Sequence, residues 1–188
     1  MNELNNIPNP HAPHKKYGEV NTLCRRLVEN GKALYLNVEP IDGAEVNECF
    51  PNVELAISCN GGSVQYGWQI WEGLPGLLLE AEFHAVWVDT NGKYHDVTPK
   101  ALLGIKKILF LPDPTRKYEG KQIMNEFAAL KNDELLVGYV GNRRRYFEVI
   151  NRGELATHHG KLPGSLEVNT LNSEAAHLLL AIARKYYS

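Results

Sequence analysis

Glu80-Ala81-Glu82-Phe83-His84-Ala85-Val86-Trp87, then Asp89-Thr90-Asn91-Gly92-Lys93, then Tyr94-His95-Asp96-Val97-Thr98-Pro99 is the stretch on which the fold turns. The first and third pieces read as strands and the middle one as a hairpin turn. Two turns fit. A two-residue Asn-Gly turn puts Asp96 beside Trp87, on the face opposite His84. A three-residue turn with Gly92 left-handed pairs Asp89 with Lys93, and Asp96 then faces Val86, on the His84 side and diagonal to it. The second is preferred, because Thr-Asn-Gly-Lys suits a type I turn followed by a glycine bulge. In that register a carboxylate can orient an imidazole.

Upstream lies Asn47-Glu48-Cys49-Phe50-Pro51-Asn52-Val53. Proline lacks an N–H and is comfortable only in a first helical turn. Pro51 therefore starts a helix at about Asn47 or Glu48, expected to run to Ser58, with Cys49 at its N-terminus. There the helix dipole and free N–H groups favour a thiolate and can stabilise an oxyanion. Cys59 falls at the opposite end of that helix, and Cys24 on the apolar stripe of an earlier one. Taken singly, Cys49 reads as a buried structural thiol, His84 as a hydrogen-bonded core histidine and Asp96 as a strand carboxylate. Together, in this order, they suit a nucleophile, a base and an orienting acid.

The bulk numbers are those of a globular chain: 188 residues, 44% hydrophobic, formal net charge −2 and a pI near 6.4. No charge excess draws it to nucleic acid or to an anionic membrane. Arg143-Arg144-Arg145 reads as a solvated face. No apolar run reaches the length of a membrane span, and the polar start lacks a secretory h-region, so a cytoplasmic protein is expected. Three cysteines without a Cys-x-x-Cys spacing argue against a disulfide framework and a structural zinc finger.

Further elements follow from period and punctuation. Residues 1–16, polar and rich in proline, read as a disordered arm before a single α+β domain over 17–188. Its core motifs lie in 45–112, with a C-terminal extension over 113–188. A helix is expected from Gly18 to Gly31 and a strand over Ala33–Val38. Strands follow at 64–71, 77–88, 93–97 and 106–111, and a helix near 122–130. Two short strands are expected at 135–140 and 146–150, and a last helix at 173–187. The fold class is α+β: a helix bearing Cys49, then an antiparallel sheet.

His-Ala-x-Trp, a glycine turn and Asp-x-Thr-Pro resemble the papain/transglutaminase-like core, in which Cys, His and Asp come in this order. The gap of 12 residues from His84 to Asp96 is short for a transglutaminase. More specifically, Glu48–Val53, Gly61-Gly62, Gly67–Glu72, Glu80–Trp87 and Asp96–Pro99 resemble an uncharacterised bacterial and phage family, over roughly residues 45–112. Some of its members carry a cysteine-rich zinc-binding tail, which this sequence lacks.

The resemblance implies a thiol-enzyme fold with Cys49, His84 and Asp96 as the catalytic set. The expected activity is a cysteine hydrolase or acyltransferase acting on a peptide, protein or small amide or thioester, with no cofactor and no metal. Asn52, Trp68 and Glu82 are candidate substrate contacts. Glu80 and Glu82 suit a cationic group, although salt bridges are their ordinary duty. His158-His159 resemble a metal pair only superficially, since neighbours on a strand point to opposite faces. A non-catalytic binding module on the same fold, and a metal site built from the same Cys, His and Asp, are the alternatives.

Overall fold

The computed structural model describes residues 3–14, 17–102, 104–153 and 165–188. The chain runs α1 (Gly18–Leu27), β1 (Leu34–Asn37), α2 (Cys49–Asn60), β2 (Ser63–Leu74), β3 (Leu78–Val88), β4 (Tyr94–His95), β5 (Lys107–Pro112), β6 (Glu126–Ala129), α3 (Glu134–Ile150) and α4 (Leu166–Tyr186). The strands form one six-stranded sheet ordered β1-β5-β2-β3-β4, with β6 also on β3. Every strand pair is antiparallel.

The two faces of the sheet differ in chemistry because side chains alternate along each strand. Trp68, Ile70, Leu79, Ala81, Phe83, Leu109 and Leu111 form one face, buried beneath Val20, Leu23, Cys24 and Val28 at α1. Burying the apolar stripe of α1 is what holds this layer. Gln69, Trp71, Glu80, Glu82 and His84 belong to the other face, where the sheet lines a cleft. The α3–α4 pair packs beside the β2–β3 hairpin through Leu74, Leu77, Leu78, Phe127, Leu136 and Ile182.

The outer edge of β3 is divided. β6 takes Leu78–Ala81 and β4 takes Trp87–Val88, so no described strand lies along Glu82–Val86. The start of α2 fills this gap: Cys49, Val53 and Ala56 pack with Ala85 and Val97. Ala85 is fully buried as a result.

Several expectations require correction. Residues 122–130 are not helical; Glu126–Ala129 is a strand, because the edge of β3 offers a hydrogen-bonding partner that helical spacing alone cannot reveal. The two strands expected over 135–150 are one helix of 17 residues. Its interior Gly138 faces Leu178 of α4, where a Cβ would make only an ordinary contact at 3.4 Å. Asn142, read as a turn residue, is 1% exposed and donates from Nδ2 to Leu171 O of α4 at 3.0 Å. The last helix begins earlier than expected, where the Ser165 hydroxyl accepts from Val168 N–H at 3.1 Å.

The expected arm is packed against the domain. Glu3–Asn6 forms a 3-10 turn, Glu3 meets Arg184 at 2.6 Å, and His11 bridges Glu72 in an antiparallel pairing. Ile7 packs against the α3–α4 layer, and Tyr35 donates its hydroxyl to Pro13 O at 2.8 Å. The His158-His159 pair lies outside the described residues.

Candidate active site

The Asp89–Lys93 turn has the three-residue form. Asp89 N–H donates to Lys93 O at 2.9 Å, Gly92 N–H donates to Asp89 O at 2.9 Å, and Gly92 has φ +81°. Asp89 Oδ1 also accepts from the N–H groups of Asn91 and Lys93. Trp87 pairs with His95 and Val88 with Tyr94, which carries Asp96 to the His84 side. His84 Nε2 then donates to Asp96 Oδ1 at 3.1 Å. The carboxylate can only accept, so it fixes the proton on Nε2 and leaves Nδ1 as the nitrogen for another partner. Nδ1 has no hydrogen bond among the described residues.

Asp96-Val97-Thr98-Pro99 earns its spacing locally. Asp96 Oδ1 accepts from Thr98 N–H at 3.3 Å, Val97 enters the apolar cluster under α2, and Pro99 O accepts from Asn47 N–H at 3.1 Å. Asp96 is fully buried, and Lys100 Nζ meets its Oδ2 at 2.8 Å. Apart from that ion pair, Oδ2 has no hydrogen-bond partner among the described residues. Burial opposes the charge of Asp96, but His84 and Lys100 outweigh it and hold the carboxyl below its usual range.

Cys49 is the first residue of α2, with Pro51 in the first turn as expected. Asn52 N–H reaches Glu48 O at 3.1 Å, whereas the N–H groups of Cys49 and Phe50 have no backbone acceptor among the described residues. Cys49 is 7% exposed and His84 is 4% exposed, and both line one cleft of about 380 Å³. Burial presses His84 downward, the charge on Cys49 raises it, Lys100 lowers it, and Asp96 raises it through charge and hydrogen bond. The net result is a pKa of about 9. Burial raises the phenols of Tyr66 and Tyr118, nearby charge including that of Cys49 adds to the shift, and Phe50 stacks on Tyr118 at 3.6 Å.

The remaining wall of the cleft is acidic and aromatic. Glu82 Oε2 accepts from Gln69 Nε2 and from Trp71 Nε1, each at 3.4 Å. Glu80 Oε1 accepts from Asn125 Nδ2 at 2.7 Å, and burial pushes its carboxyl up. Neither carboxylate has an ion-pair partner among the described residues. Tyr139, Leu102 and Ile105 complete much of the rim.

Of the expected substrate contacts, Glu82 lines the cleft and two do not. Asn52 is 2% exposed and spends its amide on Glu45, accepting from N–H at 2.8 Å and donating to C=O at 2.7 Å. Trp68 points to the opposite face, where it is fully buried and donates to Asp113 Oδ2 at 3.1 Å. Trp71, three residues along and so on the opposite face of the strand, lines the cleft instead.

Lys100 and Asn47 are among the cleft residues that escaped the sequence reading. Lys100 looked like an ordinary residue after a proline. Asn47 lines the cleft with φ +62°, a strained conformation for a non-glycine residue, and its only sequence signal was its place two residues before Cys49. Arg145 pairs with Glu174 at 2.8 Å, and Arg143 lies over the Tyr146 ring.

Among the described residues, no three His, Cys, Asp or Glu side chains converge at metal-ligand spacing, and no helix is long and apolar enough to cross a membrane. The chain matches no family model, no curated protein and no solved structure.

Proposed function

We propose that this protein is a cysteine-dependent hydrolase or acyltransferase of the papain/transglutaminase-like kind, acting on an amide or thioester. The observation that carries the reading is the His84 Nε2–Asp96 Oδ1 bond beside a cleft that Cys49 also lines. A carboxylate that fixes the Nε2 proton leaves Nδ1 to exchange a proton with the thiol.

The Cys49 thiolate attacks the acyl carbon, and the electron pair of the carbonyl moves to oxygen. The free N–H groups of the first turn of α2 stabilise that oxyanion. His84 Nδ1–H gives its proton to the leaving amine or thiolate, and the C–N or C–S bond breaks. Water or an amine then attacks the acyl-enzyme, His84 takes its proton, and Cys49 leaves as thiolate. Asp96 keeps the ring oriented throughout.

The cleft wall supports a substrate that is a peptide, protein or small amide carrying a cationic group. Glu82 precedes His84 by two residues on the same strand face, roughly 7 Å along it. Trp71 and Tyr139 offer aromatic surface to such a cation.

The test is an untargeted screen for acyl adducts. The protein is incubated with a peptide and metabolite extract, and Cys49 is examined by mass spectrometry. An adduct that is absent from Cys49→Ser and forms far more slowly in His84→Ala supports the reading. A Cys49 that carries no adduct under any condition, while binding to the cleft is still detected, makes the protein a non-catalytic binding module.

A further inference from the structure

Lys100 is the cleft residue that the reaction above leaves without a task. Its side chain is only 7% exposed, which is unusual for lysine. Nζ lies 2.8 Å from Asp96 Oδ2 and donates to Gln69 Oε1 at 2.8 Å. Gln69 in turn donates to Glu82. The two oxygens of Asp96 are thus divided: Oδ1 serves His84 and Thr98, and Oδ2 serves Lys100.

A surface salt bridge would need no such burial. Two cations on one buried carboxylate carry a desolvation cost that only close geometry and further hydrogen bonds offset. With His84 as its only cationic partner, Asp96 would hold the imidazolium tightly and hinder release of its proton. A second, fixed cation on Oδ2 weakens that hold and pins the carboxylate plane.

We propose that Lys100 is a positioning residue for His84: by occupying Asp96 Oδ2 it fixes Oδ1 towards the imidazole and keeps the ring able to give up its proton. The charged and titratable groups around His84 are Cys49 from α2, Asp96 and Lys100 from the segment after β4, and Glu82 from β3 itself. Gln69 from β2 and the Phe110 ring from β5, centred 6.4 Å from the imidazole, are uncharged. Among these, Cys49 and Asp96 favour the imidazolium and Lys100 opposes it. The proposal rests on the thiol-enzyme reading for its catalytic meaning.

The test uses the full chain with isotope-labelled histidine. The His84 ring resonance, assigned through His84→Gln, is followed by NMR against pH. In Lys100→Met the titration midpoint should rise by about half a pH unit or more, and Lys100→Arg should restore it. Lys100→Gln, which keeps hydrogen bonding and drops the charge, should also raise it, and stands in if the methionine variant does not fold. In the wild type, Lys100 should be among the last lysines to accept reductive methylation, and Asp96→Asn should speed its modification.

An unmoved His84 midpoint in a folded methionine or glutamine variant overturns the proposal. So does methylation of Lys100 at the pace of exposed lysines. Iodoacetamide labelling of the same samples separates the two levels. A Cys49 inert in the wild type defeats the thiol-enzyme reading and leaves the His84 shift readable. A reactive Cys49 with an unmoved midpoint defeats the role of Lys100 alone.

Discussion

Gly67 stands directly across the β2–β3 ladder from His84, and its missing side chain is what lets β5 close over that point. A Cβ at Gly67 would lie 2.3 Å from Leu111 O and 2.7 Å from the Phe110 ring. The first contact is backbone and cannot rotate away. Gly67→Ala should therefore destabilise the fold by about 2 kcal/mol or more, as overpacking of a tight core does. Denaturant unfolding measures it, and a loss within about 0.5 kcal/mol would show that β5 shifts freely.

Asp96→Asn offers an amide where a carboxylate now accepts from Nε2. The ring can then settle in the wrong tautomer, with Nδ1 protonated and Nε2 accepting. Any acyl transfer found for the protein should fall about 100-fold or more, with binding of the substrate little changed. The kcat and KM of the variant check this. An unchanged kcat would remove Asp96 from the catalytic set.

His84 titrates in the folded protein near 9, above its ordinary 6.5. Its contribution to stability is fully present below about pH 6.5 and is lost as pH rises through about 9. Asp96 acts at the other end. Its carboxyl is held below 3.8, so its contribution is present above that value and is lost as pH falls through the folded-state value. Thermal melts of the wild type should decline from pH 7 to 9.5, and His84→Gln should flatten that decline. Equal slopes in the two proteins would contradict the raised imidazole.

Glu82 is exposed and, among the described residues, lacks a cation partner. Peptidyl ketone electrophiles that differ only in lysine against norleucine should label Cys49 at rates about tenfold apart, a difference of about 1.4 kcal/mol. Glu82→Gln should erase the preference. Equal rates in the wild type would leave the acidic wall without a part in selection.

Residues 3–14 contribute contacts through partly buried Ile7, buried Pro13 and the exposed Glu3–Arg184 pair. A chain beginning at Tyr17 should melt several degrees lower than the full one. Calorimetry decides it, and an unchanged midpoint would return these residues to the status of a dispensable arm.

The hairpin was legible because its turn has chemistry of its own: Asp89 caps it and Gly92 supplies the left-handed residue, so the register follows from local rules. Pro51 likewise fixed where α2 begins. The missed parts depend on distant partners. Glu126–Phe127 became strand because Glu80-Ala81 waited on an open edge, and Gly138 and Asn142 stayed helical because α4 covers them. Trp68 and Trp71 are told apart only by strand phase, which a β2 pairing with both β3 and β5 sets. Lys100 carries no motif. Its meaning comes from Asp96, four residues before it, and from Gln69 on the distant strand β2.

The most direct measurement is the rate of iodoacetamide labelling at each cysteine, read by mass spectrometry at pH 6. Cys24 is buried and its thiol is pushed up to about 11, Cys59 is exposed at the end of α2, and Cys49 lines the cleft with His84. The thiol-enzyme reading predicts that Cys49 reacts about tenfold or more faster than exposed Cys59, since the start of α2 and the His84 imidazole in the same cleft would activate it as a nucleophile. It also predicts that His84→Ala abolishes this advantage and leaves Cys59 unchanged. Cys59 reacting first in the wild type, with Cys49 indifferent to the loss of His84, would contradict it.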